Sequence, residues 1–367
     1  MKLNVFGNPF GESGYAIHTM NLVKALQQEG LKTGLEVMSL PQGWEFTVPI
    51  EVKKAIEEES SYWATLMISL PDSWTLKSGD RCKPLIGFGV FEGTKVPVSW
   101  KINSECVDEI WVPSEHTKKA FEAAGITKHI EIIPHGFDET IFTPEGIKEE
   151  EDDKFRFLFV GGWKDGEKDR KGLDIALRAF CSEFSKLEKV KFTGKLNMVY
   201  QGEETLKQNL MSLGLPAVGE RPEIEIIMEN TTLENLAVFY RSSDCLVMPS
   251  KAEGFGMSGL EAVACGVPVI ASDFGGQTDY LVRENLFIET EKMIPATGEP
   301  WIYSEAEWAL PSQKDLQKKM RFAFENQELI KKWAKEDSQK ALETMTWRHT
   351  ARKALNRLKK LDAEMKK

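Results

Sequence analysis

The chain has 367 residues, of which 41% are hydrophobic and 28% charged, and its formal net charge is −10. That length is enough for two domains with a core each, and the composition excludes a disordered or fibrous protein. The negative charge argues against a protein that binds nucleic acid or anionic lipid over its whole surface, although a local basic patch remains compatible with it.

The cysteines predict free thiols. All five lie far apart and none forms a C-x-x-C pair: Cys82, Cys106, Cys181, Cys245 and Cys265. This spacing favours a reducing compartment over a disulfide framework or a zinc site. The chain opens on a strand-like run without a signal-peptide pattern, and no apolar run reaches the ~18–20 residues that span a bilayer. We therefore expect a cytoplasmic enzyme without a transmembrane segment.

Apolar runs and amphipathic stretches alternate through the first 140 residues. "LNVFGNP" predicts a strand, and "GYAIHTMNLVKALQQEG" predicts a helix that ends at Gly30. Ser114 predicts the start of a second helix, which Gly125 closes. Further strand candidates are "LEVMSL", "ATLMISL", "PLIGFGVF", "EIWVPS" and "IEIIPHGFD". Strands separated by helices predict a parallel sheet covered by helices on both faces.

An acidic run, "PEGIKEEEDDKF" at 144–155, interrupts this pattern. We interpret it as a solvated linker and domain boundary, because its spacing matches no template for a metal-binding loop. A second alternating series follows, which predicts a second α/β domain. The chain then ends in an almost continuous helical stretch with a basic amphipathic segment. We expect that segment to dock on the protein body, with peripheral membrane contact as the alternative.

One glycine motif invites a misleading interpretation. Gly254, Gly256 and Gly259 spell G-x-G-x-x-G after an apolar run, and Asp273 follows 19 residues after the first of them. Alone, this spacing predicts a dinucleotide site and an NAD-dependent oxidoreductase. However, five residues separate the run from the first glycine, and Glu253 places a negative charge where a pyrophosphate would bind.

Two glutamates in the same stretch favour a nucleotide-sugar. If a helix starts near Met257, the amides of Gly256, Met257 and Ser258 can bind a phosphate. Glu261, one turn further on, can accept hydrogen bonds from both hydroxyls of a ribose. Glu253 would then lie towards the sugar at the other end of the diphosphate.

With these residues, "PSKAEGFGMSGLEAVACGVPVIASDFGG" resembles the donor-site signature of glycosyltransferase family 4, whose members are retaining enzymes of the GT-B architecture. Three other segments resemble the family in order: "VPSEHTKKAFEAAGITKHIEIIPHGFDETIFTP", "FRFLFVGGWKDGEKDRKGLDIALRAF" and "TMTWRHTARKAL". The resemblance implies an α/β fold with two doubly wound, Rossmann-like domains that face each other across a cleft. It implies an acceptor-binding domain at 1–148, joined by a crossover helix at 347–367, and a donor-binding domain at 149–346.

The resemblance also implies roles for individual residues. It assigns Glu261 to the ribose, Glu253 to the donor sugar, and Lys171 to the diphosphate leaving group. The diphosphate cradle corresponds to "GFGMS", which contains Phe255, Gly256, Met257 and Ser258.

Other positions match the family less closely. Trp163 stands where the family usually has an arginine, and we expect Arg170 to take over that charge. Gly11, Ser13 and Gly14 match the glycine-rich loop that faces the diphosphate in the family.

Three further residues are weaker candidates for a contact with acceptor or sugar. Glu92 follows a strand at the edge where ligands bind in such sheets. His135 recurs in the family pattern near the hinge, where we expect a structural role. His18 lies one turn into the first helix, and we expect it on the surface of that helix.

The expected reaction is transfer of a hexose from a nucleoside-diphosphate sugar to an acceptor hydroxyl on a glycan, glycoconjugate or other soluble acceptor. The chain contains no D-x-D and no H-E-x-x-H motif, which favours a metal-independent reaction without a cofactor. Resemblance implies retention of the anomeric configuration. The alternatives are the NAD-dependent oxidoreductase and a catalytically silent nucleotide-sugar binding protein.

Overall fold

The structure is a computed structural model that describes residues 1–11, 13–37, 40–43, 47–58, 61–77, 84–149, 153–197 and 203–366. The chain divides into two compact units, one formed by Met1–Asp138 with Thr344–Lys367 and the other by Glu139–Glu343. Each unit contains one six-stranded parallel sheet, so the predicted α/β class with two doubly wound domains is confirmed. In the described ranges no helix is long and apolar enough to cross a membrane.

The first unit orders its strands 2-1-3-4-5-6. These are β1 (Lys2–Gly7), β2 (Lys32–Glu36), β3 (Ala64–Ile68), β4 (Leu85–Phe88), β5 (Glu109–Val112) and β6 (Ile130–Ile132). The helices are α1 (Gly14–Gln28), α2 (Ile50–Ile56), α3 (Val98–Ser104), α4 (Glu115–Ala123) and, from the end of the chain, α12 (Trp347–Met365), with a 3-10 segment at Pro71–Lys77.

Local sequence explains the helix starts in this unit. The Ser13 hydroxyl accepts a hydrogen bond from the amide of Ala16 at 3.2 Å, and Ser114 does the same for Thr117 at 3.1 Å. Each serine satisfies an amide that the first helical turn leaves without a partner. Pairing with a neighbour, in contrast, fixes the strand bounds. β2 starts at Lys32, three residues before the predicted run, because Lys32 pairs in register with Lys2.

The last helix docks on its own unit, as predicted. α12 packs against α1 and buries an apolar stripe that includes Trp347, Ala351 and Leu358. One of its basic residues forms an ion pair inside the unit: the Arg357 Nε lies 2.9 Å from Oε1 of Glu109, a residue only 2% exposed. This buried pair fixes the helix against β5.

The second unit orders its strands 12-11-10-7-8-9. They are β7 (Phe155–Gly161), β8 (Val190–Leu196), β9 (Glu223–Met228), β10 (Cys245–Met248), β11 (Val269–Ser272) and β12 (Phe287–Ile288). Counted from its own first strand, this is the Rossmann order, 3-2-1-4-5-6. The helices are α5 (Leu173–Glu183), α6 (Glu203–Ser212), α7 (Leu233–Arg241), α8 (Met257–Ala264), α9 (Pro300–Tyr303), α10 (Gln313–Glu325) and α11 (Gln327–Thr344).

The fold also departs from the sequence-based prediction at a hairpin and at the end of β6. An antiparallel hairpin of β13 (Thr290–Pro295) and β14 (Glu307–Pro311) was not predicted. β6 ends at Ile132, although the apolar run predicted a strand to Asp138; beyond it, Phe137 makes only an isolated bridge to Thr346. The predicted linker includes residues 150–152, which lie outside the described residues, as does Cys82.

Candidate functional site

The site lies where the strand order of the second unit reverses, between β7 and β10. In open parallel sheets, ligands bind at the carboxyl ends of the two strands that flank such a reversal. Two loops leave these ends, at 162–172 and 249–256. The two loops pass close to each other at Gly172, whose φ is +74°. A Cβ on this residue would lie only 2.2 Å from the Pro249 carbonyl oxygen. Glycine is therefore required at this contact.

Glu253 is the centre of a buried cluster of charges. Its Oε1 accepts hydrogen bonds from the Lys171 Nζ at 2.6 Å and the Ser250 hydroxyl at 2.8 Å. Its Oε2 accepts from the Arg170 Nη1 at 3.0 Å. The glutamate is only 4% exposed. The structure thus brings together the three residues that the sequence nominated for catalysis.

The ionisation of Glu253 follows from these neighbours. Burial by itself raises the pKa of a carboxyl group, because it penalises the charged form. Here the positive charges of Lys171 and Arg170 and the hydrogen bonds from Lys171 and Ser250 outweigh burial, and the pKa of Glu253 falls to about 2. The carboxylate is therefore ionised at neutral pH and unsuited to proton transfer, but well suited to orienting two cations.

A second lysine holds the cationic loop in place. Lys251, 3% exposed, directs its Nζ at the carbonyl oxygens of Glu167 and Asp169, the latter at 2.8 Å. Its amide donates to the carbonyl of Arg170 at 2.7 Å. Burial lowers the pKa of Lys251. This residue lies inside the predicted motif, yet its role escapes sequence analysis because its partners are more than 80 positions away.

The helix that follows the glycines begins as the sequence predicted. α8 starts at Met257, and Gly256 precedes it in the left-handed region at φ +85°. The first amides of a helix have no partner within it, so Met257 and Ser258, both half-buried, sit where a phosphate would accept hydrogen bonds. Phe255 is buried against the ring of Tyr280, 5.3 Å between centroids, and supports this turn rather than contributing a side chain to its surface.

Glu261 lies one turn into α8, buried beside a tyrosine. The Tyr240 hydroxyl donates to its Oε2 at 2.9 Å. Burial raises the pKa of Glu261 to about 7, against the lowering effects of the Tyr240 hydrogen bond and the Lys171 charge. Lys171 therefore acts electrostatically on both glutamates. Ser250, Lys251, Tyr240 and Tyr280 are the members of this cluster that sequence reasoning missed.

Trp163 does not belong to the site. Its ring is 1% exposed and belongs to the hydrophobic core of the second unit, which also contains Leu173 and Phe159. No cation can therefore act from that position. Arg170, seven residues later, is the arginine that reaches Glu253.

The candidates in the first unit follow its strands. Gly11 has a φ of +97° in the loop after β1, and Gly14 is the first residue of α1. Glu92 follows β4, where its carbonyl oxygen contacts the His116 ring at 2.7 Å. Tyr15 links the two segments, since its hydroxyl accepts from the Val90 amide at 3.0 Å. Both segments thus leave the carboxyl edge of one sheet.

His18 and His135 form a buried pair, with their Nδ1 atoms 2.7 Å apart. The expectation that His18 lies on the helix surface is wrong: its ring is 0% exposed and stacks on Phe88 at 4.0 Å. Burial lowers the pKa of His18 well below its usual range and the pKa of His135 to about 3. Two neutral rings can share one proton across this contact, whereas two charged rings cannot.

The profile described as "Family 4 Glycosyltransferase in conflict systems" matches residues 114–354, more than half of the chain. This chain belongs to glycosyltransferase family 4. The matched range contains Arg170, Lys171, Glu253 and Glu261. Family membership replaces the oxidoreductase interpretation of the glycine motif, which follows the fourth strand of its unit and not the first.

One relative with a known name is also a glycosyltransferase. This family 4 chain is 30% identical to a D-inositol 3-phosphate glycosyltransferase of Pseudarthrobacter chlorophenolicus over 168 residues, which cover 42% of this chain and 38% of that relative. The match therefore spans well under two thirds of the relative's length.

Solved structures confirm the GT-B fold. A sucrose-phosphate synthase from Thermosynechococcus elongatus superimposes with a TM-score of 0.71 at 15% identity, covering 99% of this chain and 100% of that one. Anabaena HepE in complex with UDP and glucose superimposes with a TM-score of 0.68 at 14% identity, covering 98% and 100%.

Proposed function

We propose that this chain transfers a hexose from a nucleoside-diphosphate sugar to an acceptor hydroxyl, with retention of configuration and without a metal ion. The observation that carries the proposal is the contact of Lys171 and Arg170 with Glu253 at the strand-order reversal of the second unit. Family membership and this cluster of charges favour the transferase over a protein that only binds the nucleotide-sugar.

The donor in this proposal runs along the start of α8. The ribose lies at Glu261, the diphosphate at the amides around Gly256, Met257 and Ser258, and the hexose towards Glu253. A diphosphate carries negative charge, which the N-terminus of a helix attracts. Ionised carboxylates in turn accept hydrogen bonds from sugar hydroxyls.

Chemistry begins with departure of the diphosphate from the anomeric carbon. Lys171 and Arg170 oppose the charge that develops on the leaving oxygen, and each side chain carries more than one N–H donor. Preorganised charges of this kind stabilise a transition state without reorganising during the reaction. Glu253, with its pKa near 2, holds the two cations in place as a fixed anion. Retention rests on the resemblance of the motif to the family.

Metal independence rests on the sequence, which lacks the D-x-D motif that holds a metal in the other major glycosyltransferase architecture. The similarity to HepE bound to UDP and glucose makes UDP-glucose the first donor to test. For the first unit we propose that Gly11 and Gly14 contact the diphosphate and that Glu92 contacts acceptor or sugar. His18 and His135 are proposed as a structural pair, since both rings are buried against each other.

A thermal-shift panel of UDP, GDP, ADP, CMP and NAD tests the donor site. A nucleoside diphosphate at about 100 times its Kd should raise stability by ~2.7 kcal/mol, whereas stabilisation by NAD alone would contradict the proposal. Incubation with a library of nucleotide-sugars and acceptors, with and without EDTA, then tests transfer. NMR of the product reports the anomeric configuration. Binding without product from any pair would favour the silent binding protein.

A further inference from the structure

Tyr240 and Glu261 form a buried hydrogen bond between two helices. Tyr240 is 0% exposed and lies next to the last residue of α7, while Glu261, 8% exposed, lies in α8. The phenol oxygen donates to Oε2 of the carboxylate at 2.9 Å. A buried polar group needs such a partner. Here the partner is the carboxylate proposed to bind ribose.

Tyr240 also packs against a third segment, residues 141–143. The ring of Phe142 meets the ring of Tyr240 edge-on, with 6.1 Å between centroids. The adjacent residue, Arg241, donates to the carbonyl oxygens of Ile141 at 3.3 Å and Thr143 at 3.4 Å, so the segment that carries Phe142 is fixed to α7. Tyr240 therefore offers its hydroxyl from a rigid position.

A fixed hydroxyl on one oxygen restricts the carboxylate. A glutamate has three side-chain torsions, and a hydrogen bond to Oε2 selects one orientation of the carboxylate plane. The lone pairs that Tyr240 does not use then point in fixed directions. A pair of vicinal hydroxyls, as in ribose, presents two donors to such a carboxylate, whereas a 2′-deoxyribose presents one.

Building on the proposed function, we propose that Tyr240 is a positioning residue that sets Glu261 for the ribose diol and so makes the site selective for ribonucleotide over deoxyribonucleotide donors. Tyr240 acts through Glu261 and does not itself contact the ligand. Loss of its hydroxyl should therefore weaken binding of ligands with a full diol more than binding of 2′-deoxy ligands, which present only one donor to Glu261.

The ionisation of Glu261 supplies an independent readout. The titratable groups that act on or around it are Tyr240 in α7, Cys265 directly after α8, Lys171 in the loop after β7, and Tyr280 after β11. Burial raises the pKa of Glu261 and the Tyr240 hydrogen bond lowers it. Removal of that hydroxyl should move the pH midpoint of ribonucleotide binding upwards, which a purely structural tyrosine would not do.

The experiment measures Kd by calorimetry for UDP, GDP and ADP and for the 2′-deoxy form of each. The proteins are the wild type, Tyr240→Phe, Glu261→Ala and Ser243→Ala. Ser243 is a control because its hydroxyl, two residues beyond the end of α7, donates to the Phe239 carbonyl at 2.8 Å and not to Glu261. Tyr240→Phe keeps the buried ring, and a thermal melt checks its fold.

For the diphosphate that binds, we expect the wild type to prefer the ribo form about tenfold, as one lost hydrogen bond to a charged group implies. Tyr240→Phe should reduce that preference at least threefold, because the ribo form loses more affinity than the 2′-deoxy form. Ser243→Ala should keep the wild-type preference. The inference is overturned if Tyr240→Phe keeps both the wild-type preference for the ribo form and the wild-type pH midpoint, and Glu261→Ala loses that preference. If Glu261→Ala keeps it, or if no diphosphate binds, the proposed function itself fails.

Discussion

The Lys171 Nζ lies 2.6 Å from Oε1 of Glu253, and the same charge lowers the pKa of Glu261. One lysine thus acts on both Glu253 and Glu261, which are separated by seven residues and form an E-x7-E motif. In the proposed complex these glutamates lie at the two ends of the donor. The pair is nevertheless uneven: burial raises the pKa of Glu261 to about 7, whereas Lys171, Arg170 and the hydrogen bonds to Glu253 outweigh burial and lower its pKa to about 2. Glu253 is a permanent anion, and Glu261 changes charge close to neutrality.

Lys171 should matter more for turnover than for nucleotide affinity. In Lys171→Met we expect kcat to fall by ~10²–10³, the size of effect seen when one preorganised donor to a developing charge is removed. Steady-state kinetics with the donor that the nucleotide-sugar library identifies would measure this. Lys168→Met is the matched control, because its side chain is exposed three residues away in the same loop. Equal kcat in both variants would contradict the leaving-group role.

Glu253 should stabilise the protein in a defined pH window. Its pKa is lower in the folded chain than the ordinary 4.5, so the unfolded chain takes up the proton first. The stabilisation is complete above about pH 4.5 and is lost as the pH falls towards 2. The shift corresponds to about 3 kcal/mol.

The comparison with Glu253→Gln tests this contribution. Urea unfolding of the second unit should show the variant less stable than the wild type at pH 7. The difference in free energy of unfolding between the two proteins should become smaller as the pH falls from 4.5 to 3. A difference that is constant across this range would mean that the charge of Glu253 does not contribute to stability.

Nucleotide binding should release protons at Glu261. Ribose hydroxyls donate hydrogen bonds and so favour the ionised carboxylate, whose pKa is about 7 in the free site. At pH 7 binding of UDP should therefore release up to about half a proton per site from this group. Calorimetry in buffers of different ionisation enthalpy measures the release. In Glu261→Gln only the phosphates can release protons, so the difference between the two proteins gives the contribution of Glu261. A proton release equal to that of the wild type would refute the prediction.

Lys251 should be needed to hold the loop that carries Arg170 and Lys171. Lys251→Met preserves most of the apolar stem but leaves the carbonyls of Glu167 and Asp169 without their buried donor. We expect a loss of ~1–3 kcal/mol in stability together with weaker binding of the nucleoside diphosphate. Thermal melts and calorimetry measure the two effects. Loss of stability with wild-type affinity would show that the loop keeps its position without this lysine.

Gly259 should tolerate no side chain because of one oxygen. A Cβ at this position would lie 2.5 Å from the hydroxyl of Tyr280. Alanine within a helix is ordinarily favourable, but overpacking here should make Gly259→Ala less stable by ~1–3 kcal/mol. Adding Tyr280→Phe removes the clashing oxygen, so the double variant should be more stable than the sum of the single effects. Urea unfolding of all four proteins gives that coupling, and simple additivity would rule out this contact as the cause.

Local patterns predicted much of the fold, and tertiary pairing decided the rest. Ser114 marked a helix start because capping depends on a residue only three positions away. The start of β2 at Lys32 depends instead on a neighbour across the sheet, which no local window contains. The β13–β14 hairpin was missed for another reason: five of the six residues of β13 are exposed, so the strand contains no apolar run that would predict it.

The sequence by itself determined the family, the two α/β series and the residue types of the E-x7-E motif. Only the tertiary structure decided the partners and the ionisation of these two glutamates. Glu253 acquires its cations from a loop 82 and 83 positions earlier in the chain, and Glu261 acquires a phenol from 21 positions earlier. Electrostatic energy depends on distance in space and on burial, and chain order encodes neither. Two identical side chains eight residues apart therefore differ in pKa from about 2 to about 7.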